Sequence, residues 1–343
     1  MKLTSIVPLL IGALLSIHNA FSEDLTGAGA SFPYPLYSKM FSEYGKQYKI
    51  NINYQSIGSG GGIKQLLAKT IDFGGSDAIM SDEQLSKAPG KILHIPTCLG
   101  SVVIVYNLNI KDELKLTPDV ISDIFLGKIK KWNDPKIAEL NKGIKLPDAN
   151  ISVVHRSDGS GTTAIFTDYL SKVSSEWKNK VGTGTSVNWP VGIGGKGNEG
   201  VAGLVKQVPN SIGYVELIYA IQNKMNYAAI QNKAGKFIKP TLESTSKAAE
   251  IEMPDDMRIS ITNTDSPDGY PIAGFTYILV YQEQKYDNRS LAKARSLYKL
   301  LNWIINEGQK FTTPLHYAPL PEAAKKKAQA LIQSITYDGK PIE

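Results

Sequence analysis

The sequence predicts an α/β protein, and three observations carry that expectation. Strand-like and helix-like segments alternate along almost the whole 343-residue chain, the pattern of layered α/β architectures. Val102 to Tyr106 and Phe275 to Tyr281 are continuous, largely apolar, β-rich runs, as expected of strands buried on both faces. Once an N-terminal leader is set aside, the remaining length suits about two domains.

The elements follow in order. Tyr48 to Ile57 alternates Ile50, Ile52 and Tyr54 with polar residues, a strand pattern. Gly62 to Thr70 reads as a short helix and Ile71 to Phe73 as the next strand. Thr117 stands as a cap, Pro118 takes the first helical position, and Gly127 follows the last turn of Val120 to Leu126. A helix from about Ser290 to Asn306 places Leu291, Leu297, Leu301, Ile304 and Ile305 on one side. No internal repeat or low-complexity linker interrupts this succession.

The N-terminus has the order of a secretory signal. Lys2 supplies one charge, an apolar run extends from Leu3 to Ile17, and Ala20 and Ser22 occupy the −3 and −1 positions for a cut before Glu23. A cut after Ala20 is the alternative. The run is too short for a membrane span and lacks a charged stop, and no cysteine near the cut offers a lipid attachment site. Residues 1–22 are therefore expected to be a cleaved signal peptide.

Composition narrows the function classes. With 42% apolar and 20% charged residues the chain is ordinary globular material. Its formal net charge is +6, of which Lys2 in the leader supplies one; a mildly basic balance suits an anionic ligand but is a loose guide. Lys325-Lys326-Lys327 is the one charge run, better read as a solvated helix face than as a nucleic-acid contact. The single cysteine, Cys98, makes an intramolecular disulfide impossible, and its setting between Ile95 and Leu99 reads as a buried, inert thiol. His94, His155 and His316 show no metal-ligand spacing.

Three segments share one design of extended piece, small-residue loop and helix. They are Thr26 to Pro33, opening the helix with Leu36, Met40, Phe41 and Tyr44; Gly58 to Gly62, opening the helix with Leu66 and Leu67; and Ser157 to Thr163, opening Ala164 to Leu170 after the strand Ile151 to His155. Each helix start offers unpaired N–H groups at the positive end of a dipole, and serine and threonine hydroxyls add donors. Together they make a neutral cage for an oxyanion. One such loop is usually only a turn; three of the same layout argue for a site. Arg156 and Asp77 each follow a strand-like run, where ligands of open α/β sheets gather, and an arginine there reads as an anion clamp. Gly159 to Ala164 fits GxGxxA and Gly192 to Gly197 fits GxGxxG, but lone matches are weak dinucleotide signals. No Walker A sequence occurs, and the GxSxG elbow fails at Ser160, where Asp158 and Thr162 hold the glycine positions.

At these residues the sequence resembles the PstS family, the phosphate-binding proteins of ABC-type phosphate transporters. The motifs are Leu25 to Pro33, Tyr54 to Gly62, Asp72 to Ala78, Leu126 to Asp134, Arg156 to Thr162, Ile193 to Asn198 and Ile212 to Glu216, in the family's order and across essentially the whole chain after the leader. The resemblance implies a two-lobed, hinged fold of the periplasmic-binding-protein type with phosphate in the cleft, no enzymatic activity, and neither cofactor nor metal. Lobe one is expected over 23–105 plus 274–343 and lobe two over 106–273, with crossings near Tyr106-Asn107 and Asp268 to Ala273. Carried over position by position, Ser31 and the N–H of Phe32, Ser59 and Asp77 would bind phosphate from one lobe; Arg156, Ser160, the N–H of Gly161 and Thr162 would bind it from the other. Asp158 would hold the arginine. Family members often have threonine at Ser31, and the hydroxyl is kept; Cys98 departs from the family pattern but lies outside the binding motifs. Implied partners are inorganic phosphate and the membrane subunits of an ABC permease, with ATPase subunits on the cytoplasmic side. The implied setting is a periplasmic monomer, without nucleic acid and without membrane insertion.

Asp77 then acquires a reason. An ionised carboxylate only accepts, so it can take the proton that phosphate retains at neutral pH, whereas sulfate would meet a like charge. A receptor for another tetrahedral oxyanion is the alternative within the binding class. A secreted phosphatase using Ser160 or Asp77 with Arg156 is the alternative outside it, and would need a metal or a general base in reach.

Overall fold

The computed structural model describes residues 23–342; the signal peptide expected over residues 1–22 lies outside them. Strand–loop–helix segments fold as units. β1 (Leu25–Gly29) leads into the helix Tyr34–Tyr48, β2 (Ile52–Ser56) into the helix Ser59–Leu67, and β3 (Phe73–Ser76) into Asp77. β4 (Ile92–Tyr106) is buried at every position, and β5 (Lys115–Leu116) lies off the main sheet. β6 (Ser152–Arg156) leads into the helix Gly161–Val173, β7 (Ile193–Gly195) into Gly197–Gln207, and β8 (Ser211–Glu216) into Leu217–Gln222. Next come β9 (Asn226–Tyr227), β10 (Ala229–Gln231), β11 (Phe237–Ile238) and β12 (Ala273–Tyr281). The helices Leu291–Ile305 and Glu322–Gln333 and the hairpin of β13 (Thr336–Tyr337) and β14 (Lys340–Pro341) complete the chain.

Among the described residues, nine strands form one sheet in the order β2-β1-β3-β12-β4-β8-β6-β7, with β9 also on β4. Its two ends are parallel, β2, β1 and β3 on one side and β8, β6 and β7 on the other. The long antiparallel strands β12 and β4 join them. β4 serves both ends: Ile92 to Ser101 pair with β12, and Val102 to Tyr106 pair with β8. Two half-sheets therefore share one strand. Both β4 and β12 are wholly buried, as the apolar runs foretold.

A proline inside a central strand needs an explanation. Pro96 cannot donate to the ladder, and the β4–β12 register shifts where Cys98 faces Thr276 and Pro96 faces Tyr277, leaving Thr97 as the extra residue of a bulge. The freed Thr97 hydroxyl meets the Tyr37 hydroxyl at 2.9 Å, and its carbonyl accepts from the Gln309 amide at 2.9 Å. Cys98 is buried beside it, and burial pushes its thiol well up, which keeps it inert.

Several boundaries differ from the sequence expectation. Tyr48 ends a helix instead of opening a strand, and β3 starts at Phe73. The helix expected from Gly62 begins at Ser59. Gly58, at φ 83°, turns the chain out of β2. Gly62 then packs so closely that a Cβ there would sit 2.6 Å from the Ala28 carbonyl oxygen. Those glycines let helix and strand touch; they are not a slack loop. Thr117 takes the N-cap position but makes no side-chain cap bond. Leu291 faces solvent at 36% exposure, because it is the first residue of a helix whose apolar stripe begins at Ala294.

Candidate anion-binding site

The carboxyl ends of parallel strands from both half-sheets meet at one place. From the first half come Ser31 and Phe32 after β1, Ser59 at its helix start, and Asp77 after β3. From the second come Arg156 at the end of β6 and Ser160, Gly161 and Thr162 at the next helix start. The N–H of Gly60 donates to the carbonyl of Gly159 at 2.9 Å, so the halves touch. All eight sequence-predicted ligand residues are buried here.

The hydroxyls are wired alike. Ser31 Oγ accepts from the backbone N–H and side-chain amide of Asn198, at 3.1 and 2.9 Å. Thr162 Oγ1 accepts from the same amide at 3.0 Å. Ser59 Oγ accepts from the N–H of Asp77 at 3.2 Å, and Ser160 Oγ caps its helix by accepting from the N–H of Thr163 at 3.0 Å. Each oxygen is thus engaged as an acceptor, which frees its own proton to donate. Four O–H donors converge with the N-terminal ends of two helices, Ser59–Leu67 and Gly161–Val173, an arrangement suited to an anion.

The charged groups are arranged with equal economy. Arg156 donates Nε and Nη2 to the two oxygens of Asp158, at 2.7 and 2.6 Å, and Asp158 also accepts from the N–H of Gly197 at 3.0 Å. Burial works against the charged form of Asp158, but these bonds outweigh it and hold its carboxyl below the usual range. Arg156 Nη1 remains buried without a partner among the described residues. Opposite, Asp77 Oδ1 accepts from the Thr276 hydroxyl at 2.6 Å, while Oδ2 is also buried and unpartnered. Burial pushes the Asp77 carboxyl up to about 7, against the pull of the Thr276 bond and the Arg156 charge. Such an unpaired donor and acceptor, both dry, mark a place made for another molecule.

Three residues of the site were not picked out individually from sequence. Asn198, fully buried, ties Ser31 of one half to Thr162 of the other, and its orientation follows from its carbonyl oxygen accepting the N–H of Glu216 at 2.9 Å. Thr276 orients Asp77, and the Tyr219 hydroxyl donates to the Ser31 carbonyl at 2.6 Å. Asn198 does follow the glycine run Gly192 to Gly197, a signal of the same kind as the other loops. Nothing local distinguishes Thr276 in an apolar strand.

A curated relative, the "Phosphate-binding protein PstS" of Pasteurella multocida, is 49% identical over 90% of this chain and 90% of its own length. This chain belongs to the PstS family. Residues 16–307 match the PBP superfamily domain. The family member of Xylella fastidiosa, of the same name, is also 49% identical, over 90% of this chain and 85% of its own. In fold the chain resembles the solved "Phosphate-Binding Protein from Stenotrophomonas maltophilia", with TM-score 0.70 at 20% identity, over 90% of this chain and 93% of that one. The chain accordingly has a two-lobed periplasmic-binding-protein fold.

Proposed function

We propose that this protein captures inorganic phosphate between its lobes and delivers it to an ABC-type phosphate importer. One observation carries the reading: several donors surround a site that also holds a single buried acceptor, Asp77 Oδ2. That set complements a tetrahedral anion that still carries a proton. The names of the PstS relatives support the same ligand. Ser31, the N–H of Phe32, Ser59, Asp77, Arg156, Ser160, the N–H of Gly161 and Thr162 are its proposed contacts, with Asp158 holding Arg156. Dry burial of a multiply charged anion requires that every oxygen be bonded, and this ring supplies the bonds.

The lobes proposed follow the sequence expectation of 23–105 plus 274–343 and 106–273, with the first crossing drawn back to Ser101–Val102, where β4 leaves β12 for β8, and they close as a hinge about β4. The signal peptide 1–22 directs the chain to the periplasm, where it acts as a monomer and meets the permease membrane subunits. It is a receptor and not an enzyme. Calorimetry with phosphate and sulfate at matched ionic strength tests this: tight phosphate binding with sulfate rejected is expected. Turnover of a chromogenic phosphate ester would instead favour the phosphatase reading.

The seam between lobes yields another expected result. A Cβ on Gly161 would collide with Ser59 Oγ and Asp77 Oδ2 and lie 2.6 Å from Asp77 Cβ. Within the helix itself alanine is favoured over glycine by up to about 1 kcal/mol. Gly161→Ala should therefore keep or raise Tm while weakening phosphate binding at least about tenfold, roughly 1.4 kcal/mol. Unchanged affinity would show that the lobes need not approach so closely.

A further inference from the structure

Glu216 stands where the two half-sheets join. It ends β8 and pairs with Val102, the first residue of β4 to leave β12 for β8. It is fully buried. Its Oε2 accepts from the N–H of Ile218 at 2.7 Å, and its backbone N–H holds Asn198, the residue that links Ser31 to Thr162. Oε1 is buried without a hydrogen-bond partner in reach among the described residues. It lies against the other lobe: a Cβ on Gly100 would come within 3.0 Å of Oε1 and 2.5 Å of the Phe32 ring. The titratable groups around this carboxyl include Asp77 after β3, Cys98 on β4 and Tyr219 on the helix that follows. The N–H groups of Ile218 and Leu217 and the hydroxyl of Tyr317, bonded to the Phe32 carbonyl, pull its pKa down without outweighing burial. None of these is a cation.

We infer that Glu216 is a positioning residue that lets the clamp close only as the neutral acid, so that seating phosphate takes up a proton here. The inference rests on the clamp reading above. A carboxylate at this place would be a charge in a dry seam without a counter-ion. Burial, with the nearby Asp77 adding to it, holds the carboxyl well above the ordinary glutamate range. Gly100 stays beside Glu216 on the shared strand, but opening withdraws Phe32 and lets water reach Oε1, which lowers its pKa toward that range. The linkage then has a definite sign. A group whose pKa is higher in the closed state favours closure fully below its open-state pKa, and that help is lost as pH rises toward the closed-state value. Alkaline conditions therefore favour opening and release.

The experiment is phosphate titration calorimetry in buffers of different ionisation enthalpy, on the wild type and Glu216→Gln. Glutamine keeps the shape and can still accept from Ile218. Protons contributed by phosphate are common to both proteins, and repeating both titrations on the Asp77→Asn background removes the coupled Asp77 contribution, so the difference isolates Glu216. The variant is expected to take up fewer protons per phosphate, by a number approaching one. Wild-type affinity should also fall more steeply with rising pH, by up to about tenfold per unit more than the variant's. Equal proton uptake and equal pH profiles overturn the inference. If the variant does not fold, 13C-glutamate labelling of the wild type decides: one carboxyl carbon should show the neutral-acid shift with phosphate and the ionised shift without it. No such carbon would overturn the inference, whereas a wild type giving no binding isotherm would overturn the clamp reading itself.

Discussion

Arg156→Ala is expected to weaken phosphate binding by about 2–5 kcal/mol, roughly 30- to 5,000-fold, the range for removing one partner of a buried charged pair. Two losses combine. The buried Nη1, unpartnered within the protein, no longer meets the anion. Asp158, whose side chain is only 14% exposed, also loses both guanidinium bonds and becomes an uncompensated negative charge at the cleft. The second loss has its own signature: Arg156→Ala with Asp158→Asn should bind better than Arg156→Ala alone. Arg156→Lys should recover only part of the affinity, because an ammonium cannot hold Asp158 with a planar fork and still reach the ligand. Wild-type affinity in Arg156→Ala, measured by calorimetry, would place Arg156 outside the site.

Asp77→Asn should bind sulfate several kcal/mol more tightly than the wild type, a gain of at least about a hundredfold, because a like charge facing the ligand is removed. Phosphate binding should survive, since the amide oxygen can still accept the ligand's proton. The pH dependence sharpens the test. Closed, the Asp77 carboxyl is pushed up to about 7 by burial; in an open, hydrated cleft it returns toward an ordinary value of about 4. Closing on sulfate must therefore take a proton from solvent, whereas phosphate brings its own. Wild-type sulfate affinity should fall between about pH 4 and 7 more steeply than that of Asp77→Asn, by up to about tenfold per pH unit, with the variant keeping only the slope that other groups such as Glu216 contribute. Matched ionic strength is needed, because a basic protein attracts all anions at low salt. An unchanged phosphate-over-sulfate preference in the variant would remove Asp77 as the discriminating group.

Much of this site is legible in the amino-acid sequence. Its proposed ligands sit on strand–loop–helix units whose chemistry is local: a helix start exposes N–H groups wherever it lies, and Ser59, Ser160 and Thr162 are placed within a turn of one. Periodicity locates the strands and most helices for the same reason, since burial of one face leaves its mark on neighbouring residues. It fails at ends. Tyr48 and Ser59 join helices because of backbone turns and close glycine packing, and Leu291 lies just outside the buried stripe.

The chain's own residues, taken a dozen at a time, decided the layered class, the anion-donating loops and the place of Arg156 at a strand end, while the pairing of Arg156 with Asp158, two positions on, came from the family resemblance. Topology alone decided what faces what across the cleft. Asn198 reaches Ser31, Thr276 reaches Asp77 and Tyr219 reaches Ser31, each over a long stretch of chain, and no local pattern encodes such a meeting. The switch of β4 from β12 to β8, and with it the burial of Glu216 at the join, belongs to the same class. Whether a carboxyl is charged or neutral depends on the water around it, and that is set by which distant segments close over it.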